Sequence, residues 1–294
     1  MKEKTKRFNL LVLPSLKNLN CVLEKFPFPV NLTKGSFSRL QFSFQGDRFS
    51  ITHKGKDLKN FSFVWLSSSW ANRDLAYAVG LYLKNFGVPF TYVEKSTSKL
   101  TDHTIFALNK IRTPDTLFFG GGNLKDHLVE IKNICGFPLV VKDIKGARGV
   151  SSICVNSEKE LMEKMQDLPK HKSYLFQKYI FNKYDWGILV ANGEVMASEK
   201  SYPCKGEFRN NVCNGAKEVF VKSKCVPEEI KRIALKTSRL LNLSWSRSDI
   251  IIDENTQIPY LMEINRWPGI TPDTDEVTGA FNFLSSQVVN LSKE

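Results

Sequence analysis

The stretch DIIID at 249–253, followed across a polar turn by LMEINRWPG at 261–269, decides how this chain is read. Side chains of a strand alternate between its two faces, so Glu263 and Asn265 share one face while Met262 and Ile264 point into a core. Paired as a hairpin, the two strands bring Asp249 to the face of Glu263 and Asn265. Two carboxylates and an amide oxygen are hard donors, a set that suits Mg²⁺ held jointly with substrate phosphates. The same residues also make an ordinary solvated strand face, and Pro268 with Gly269 an ordinary turn, so the cluster does not decide alone.

Two clusters upstream carry the same ambiguity. VVKDIKGARGV at 140–150 puts Lys142 at the end of a short apolar strand, ahead of a loop with Gly146, Arg148 and Gly149. Glycines let backbone N–H groups approach phosphate oxygens, and a lysine neutralises them. A basic surface turn has the same composition, and the loop is neither a Walker sequence nor a dinucleotide fingerprint. EFRNNVCNGA at 207–216 sets Arg209 and Asn211 in a loop downstream of Lys200 and Lys205. Arg and Asn together can hold a γ-phosphate or a developing acyl phosphate, and a plain basic loop is the alternative.

The rest of the pattern mixes helix and strand. FNLLVL at 8–13 reads as a strand and 38–52 as a hairpin. A strand at 61–66 leads into a helix over 73–86, closed by Gly87 ahead of a strand at 89–93, the rhythm of a parallel βαβ unit. Helices are expected over 101–110, over 123–134, after a capping box at Ser157–Glu160 and after Pro227. Strands are expected at 139–142 and 174–180, with a hairpin around Asn192 and Gly193. Trp70 and Arg73, with Ser67–Ser69, lie between a strand and a helix, a common ligand-facing position in α/β folds.

Taken in order, Lys142 with its glycine loop, LFQKYI at 175–180, Asp185, the Phe-Arg-x-Asn loop, Asp249 and the Glu-x-Asn end with Pro-Gly form a succession. It resembles the ATP-grasp superfamily, and within it the RimK-like amino-acid and peptide ligases, over residues 96–285. The resemblance implies an α/β fold with two α+β lobes clasping ATP. The small lobe with its glycine-rich lid would occupy 96–180 and the large lobe with the Mg²⁺ site 181–294, after an N-terminal βα domain over 1–95. It implies that Lys99 and Lys142 are the nucleotide lysines and that Gly146 and Gly149 belong to a loop over the phosphates. Gln177, Lys178 and Ile180 would line the adenine slot, with Asp185 on the ribose side and Lys200 among the nucleotide contacts. Arg209 would meet the γ-phosphate with Asn211 beside it, and Asp249, Glu263 and Asn265 would hold two Mg²⁺, or Mn²⁺ in their place.

The implied activity is ATP-dependent joining of a carboxylate to an amine through an acyl phosphate, the substrates being an amino acid or peptide of glutamate-like character. Two departures bear on it: Lys178 stands where the family usually has a carboxylate, and Gly187 where many members have an arginine. Two other readings stay open at this stage, an ATP-grasp phosphotransferase and a basic nucleic-acid-binding module. The second gives no reason for Asp249, Glu263 and Asn265 to stand together.

Composition bounds these readings. Lys and Arg number 42 against 30 Asp and Glu, a net charge of +12 that favours anionic partners, although the lysines are dispersed. The six cysteines form no CxxC pair and only four histidines occur, so no His/Cys zinc spacing can be drawn. Scattered thiols and the lack of a long apolar run imply a cytoplasmic protein without membrane association. A homo-oligomer is compatible with all of this.

Overall fold

The computed structural model describes residues 8–46, 48–95, 97–146, 152–204, 206–207, 209 and 215–291. Strand β1 (Phe8–Leu13) lies between β2 (Val30–Lys34) and, further along, β6 (Phe63–Leu66), all parallel. Leu10–Leu13 and all four residues of β6 are buried, the continuous apolar pattern of strands covered on both faces. The short helix α1 (Asn20–Leu23) precedes β2. The predicted hairpin appears as β3 (Leu40–Gln45) and β4 (Arg48–His53), extended by β5 (Lys56–Asp57). Helix α2 (Arg73–Asn85) buries Ala76, Val79 and Leu83, and Gly87 follows it at φ +65°.

The strand expected at 89–93 is reduced to one parallel bridge between Val64 and Phe90. Beyond Thr91, Glu94 pairs with the guanidinium groups of Arg73 and Arg266. Helix α3 (Lys99–Leu108) then starts on Ser98, whose hydroxyl accepts from the Thr101 amide.

A second, antiparallel sheet has the order β7-β10-β8-β9. Its members are β7 (Thr116–Leu117), β8 (Leu139–Asp143), β9 (Ser152–Val155) and β10 (Tyr174–Lys178), with α4 (Leu128–Ile134) and α5 (Glu158–Gln166) between them in the chain. The helix expected over 123–134 begins as a 3₁₀ turn at Leu124–His127 before α4.

The largest sheet contains β11 (Asp185–Ala191), β12 (Glu194–Tyr202), β13 (Lys217–Val221), β14 (Trp245–Ile252) and β15 (Pro259–Asn265). Its order is β13-β12-β11-β14-β15, every neighbour antiparallel. Asn192 and Gly193, both at positive φ, close the β11–β12 hairpin. Helix α6 (Glu228–Leu240) covers one face, packing Ile230 and Ala234 against Trp186, Ile188, Ile250 and Ile264. Helix α7 (Asp275–Leu291) packs on the other face at one end, where Trp65, Trp245 and Phe283 meet with ring centroids 4.9–5.5 Å apart. Each such aromatic pair adds about 0.5–1.5 kcal/mol beyond its buried area, and this one joins three separate chain segments. The polar residues gather at the other end of that face.

Candidate active site

Register fixes which side chains share that face. Asp249 stands opposite Glu263 across β14–β15 and opposite Gly187 across β11–β14, while Arg247 stands opposite Asn265. Directly opposed residues in an antiparallel pair point the same way, so Asp185, Gly187, Glu199, Arg247, Asp249, Glu263 and Asn265 form one polar field. The Asp249 carboxyl is pushed well above the usual carboxylate range by burial first, then by Glu263 and Asp185, with Arg247 opposing and Glu199 adding.

A buried carboxyl crowded by two others is a site short of positive charge, and a hard divalent cation is the group that relieves it. Among the described residues no three His, Cys, Asp or Glu side chains gather closely enough to hold a metal by themselves. Asp249 and Glu263, opposed in register, and the amide of Asn265 on the same face are the oxygen donors this field offers. The Asn265 oxygen accepts from the Trp267 amide at 2.8 Å, which orients it and leaves its second lone pair.

Facing this field are cations of the second sheet and of α3. Lys142 on β8 donates to Gln177 Oε1 at 2.6 Å, and Gln177 Nε2 donates to Thr116 at 2.9 Å. Gln177 is fully buried, so its side chain positions the lysine rather than lining an open slot. Burial lowers the Lys142 pKa to about 8; Glu263 opposes this, Lys99 adds to it, and Asp185 and Asp249 oppose it. Lys99, the first residue of α3, reaches Glu263 at 3.7 Å and donates to the Gly146 carbonyl. Lys142, Lys99, Asp185, Asp249 and Glu263 thus occupy one crevice.

At the strand end, the amides of Lys178 and Tyr179 donate to the Asp115 and Pro138 carbonyls. The Ile180 amide makes no such bond among the described residues. Lys178 is exposed, with its ammonium 3.5 Å from Asp115. Asp185 accepts from Asn182 at 2.8 Å.

Lys200 does not join the crevice. It pairs in register with Trp186, on the α6 face, and its ammonium lies over the rings of Tyr184 at 4.2 Å and Trp186 at 4.6 Å. Strand alternation puts it across the sheet from Asp249, which corrects its expected place among the nucleotide contacts. The Arg209 guanidinium is clasped by Glu207 at 2.7 and 2.9 Å, so a phosphate there would have to exchange with a carboxylate. Gly149 and Asn211, with Arg148, lie outside the described residues.

Gly187 has a steric reason. A Cβ there would fall 2.5 Å from Glu199 Oε1 and 2.9 Å from its Cγ. Glu199 is held in place by Arg247 at 2.9 Å, and Arg247 also pairs with Glu276. The guanidinium on this face therefore comes from β14, and position 187 has no room for one. Gly187→Ala is expected to lower stability by about 1–3 kcal/mol through overpacking. An unchanged urea midpoint would overturn this account.

The N-terminal strands supply the third wall. Arg266, directly after Asn265, makes a bidentate pair with Asp102 of α3 at 2.8 Å and a further pair with Glu94. Arg73 at the start of α2 lies 3.6 Å from Glu94 and donates to Ser68 at 3.2 Å and to Thr97. A cleft of ≈ 320 Å³ opens between Ser68, Ser69, Trp70 and Arg73 on one side and residues 263–267 on the other.

With this geometry in view, a family model described as RimK-like ATP-grasp domain matches residues 96–280. The chain belongs to the RimK-like ATP-grasp family. This RimK-like chain is 28% identical over 183 residues to a protein of Syntrophotalea carbinolica named probable alpha-L-glutamate ligase. That alignment covers 60% of the chain and 58% of the relative, less than two thirds of the relative's length. Among solved structures, D-alanine–D-alanine ligase from Bacillus anthracis complexed with ATP superposes with TM-score 0.64 at 18% identity, over 97% of each chain. The ATP-grasp ligase PsnB, complexed with a phosphomimetic variant of its minimal precursor, Mg and ADP, gives TM-score 0.65 at 16% identity over 95% of this chain and 98% of that one. These likenesses establish the ATP-grasp fold for the RimK-like chain. No helix among its described residues is long and apolar enough to cross a membrane.

Proposed function

We propose that this protein joins a carboxylate to an amine with ATP, through an acyl phosphate, releasing ADP and phosphate. The observation that carries the proposal is the crevice in which Asp249 and Glu263 face each other on one sheet while Lys142 and Lys99 approach from the opposite side. Family membership and the name of the relative support an amino acid or peptide, glutamate-like, as a substrate.

The residues divide the work by charge. Lys142 and Lys99 neutralise nucleotide phosphates, and the Ile180 amide reads the adenine edge. Asp249, Glu263 and Asn265 would hold Mg²⁺, which when bound would offset the negative charge handled in γ-phosphoryl transfer. A carboxylate oxygen takes the γ-phosphoryl group and ADP leaves. The amine then attacks the carbonyl carbon, the C–O bond to phosphate breaks with its electron pair, and the amine proton passes to phosphate or water. Arg209 and Asn211 are proposed to steady the phosphoryl oxygens, and the 146–149 loop to keep water away. A cytoplasmic setting is part of the same proposal, consistent with free thiols at Cys21, Cys135, Cys154, Cys204 and Cys225.

ATP with Mg²⁺ is expected to raise the melting temperature, and Glu263→Ala to abolish the rise. No shift in the parent protein would sink the proposal. Nucleotide affinity is also expected to depend on pH. The protonated form of Lys142 attracts phosphate, so its contribution is present below a pKa of about 8 and lost above it. Titration calorimetry should show affinity falling by up to about tenfold per pH unit on the alkaline side. In Lys142→Met that slope should vanish.

A further inference from the structure

Gln177 steers Lys142 and is itself steered. It is fully buried, so every hydrogen on its side chain needs an acceptor. Lys142 Nζ carries only donors and stands 2.6 Å from one end of the amide, which fixes that end as Oε1. Nε2 then points two hydrogens the other way. One meets Thr116 Oγ1 at 2.9 Å, which can accept because the Thr116 hydroxyl gives its own hydrogen to the Pro114 carbonyl at 2.7 Å. The other faces His103 Nε2 at 3.4 Å.

An imidazole nitrogen accepts only when it carries no proton. With Nε2 bare, the ring proton sits on Nδ1, which lies 3.3 Å from Thr113 Oγ1. A doubly protonated ring would aim a hydrogen at Gln177 Nε2, donor against donor, and favour the amide turned with its oxygen away from Lys142. The surroundings keep the ring neutral. Burial pushes the His103 pKa down to about 4, and Lys142 and then Lys99 act in the same direction. His103 stands on α3, the helix that begins with Lys99. One helix therefore brings the first lysine to the crevice and governs the aim of the second.

Resting on the nucleotide role proposed for Lys142, we infer that His103, as the neutral Nδ1–H tautomer, is a positioning residue for phosphate binding: it accepts from Gln177 Nε2 and so keeps the Gln177 oxygen on Lys142. His103 acts through Gln177 and Lys142. Without an acceptor at position 103, one amide hydrogen of Gln177 is left unpaired in a buried place. The turned amide, with its oxygen toward Thr116, then competes, and it presents a donor to the lysine.

Two measurements on the full chain test this. Long-range proton–nitrogen correlation NMR on protein labelled with ¹⁵N-histidine reads the tautomer, with His103→Gln picking out its ring among the four histidines. The Nδ1–H form is expected at neutral pH without any ligand. The Nε2–H form, or a doubly protonated ring, overturns the inference whatever the protein binds. Titration calorimetry with ATP and Mg²⁺ reads the consequence. His103→Leu should weaken ATP binding about fivefold, the usual net worth of one hydrogen bond. His103→Gln, whose amide oxygen accepts in place of Nε2, should recover most of that loss. In a Lys142→Met background, His103→Leu should have no further effect, because both changes act through one contact. A general loosening of the fold would instead add to the Lys142→Met loss. Additive losses, or unchanged affinity in His103→Leu, overturn the positioning role. If His103→Leu does not fold, His103→Phe keeps a ring without an acceptor and takes its place in the cycle. A parent chain that binds no ATP would overturn the nucleotide role of Lys142 and this inference with it, whereas a wrong tautomer or an additive cycle would overturn the inference alone.

Discussion

Lys142→Met is expected to release ADP about 10²–10³ times more slowly than the parent protein when a competent carboxylate and amine are supplied, the usual loss when one preorganised charge-stabilising group is removed. Lys142 projects from a strand, is steered by Gln177 at 2.6 Å, and lies within electrostatic reach of Glu263, Asp185 and Asp249. Lys99, which reaches the crevice from α3 beside Glu263, is proposed to meet the phosphates from its own side and does not stand in for Lys142. Folding should survive the change. Methionine removes a buried charge, and against that gain the Gln177 oxygen loses its donor, a cost of about 1–3 kcal/mol. Near-normal turnover in a folded Lys142→Met protein would end the assignment of this lysine to the phosphates. The same assay on Arg209→Ala should show a comparable loss, since a phosphate is proposed to displace Glu207 from that guanidinium.

The largest stability effect should come from Arg266→Ala. This arginine is buried and holds Asp102 through both of its oxygens, with Glu94 on its remaining side. Burial already pushes the Asp102 carboxyl upward, and the Arg266 charge is the main force against it. Truncating the arginine leaves Asp102 and Glu94, both in a dry place, with Arg73 as their one nearby counter-charge among the described residues, a situation that costs about 3–5 kcal/mol. Urea unfolding should record that loss. Arg266→Leu combined with Asp102→Asn should recover part of it, because the uncompensated charge and not the missing packing does most of the damage. A single mutant as stable as the parent would show that water or Arg73 takes over the pairing.

Much of this arrangement was legible in the chain, for definable reasons. Period-two alternation put Asp249, Glu263 and Asn265 on one face, and Asn192-Gly193 marked its hairpin, because both are local properties. The same alternation, applied to Glu199-Lys200-Ser201, would have excluded Lys200 from that face once Glu199 was paired with Gly187. Other features depend on contacts distant in sequence. The Arg266–Asp102 pair spans 164 residues, and nothing in Arg266 distinguishes it from a surface charge. Gly187 departs from the family pattern for a reason that lies 12 residues away in Glu199, whose carboxylate lies over it. Strand β2 and helix α7 have no clear signal in the sequence, since their apolar residues become a pattern only against partners elsewhere in the fold. The composition of 89–93 favours β structure, yet the chain makes one bridge there and Glu94, just beyond, is paired with Arg73 and Arg266.

The meeting of Trp65, Trp245 and Phe283 has a practical consequence. Two indoles held edge to face at 5.0 Å share their electronic transitions, so the native protein should display an exciton couplet in circular dichroism. One indole belongs to the N-terminal parallel strands and the other to the strand that carries Asp249. The couplet therefore reports whether those two regions remain docked, without any label, and should disappear if they separate while each keeps its own secondary structure.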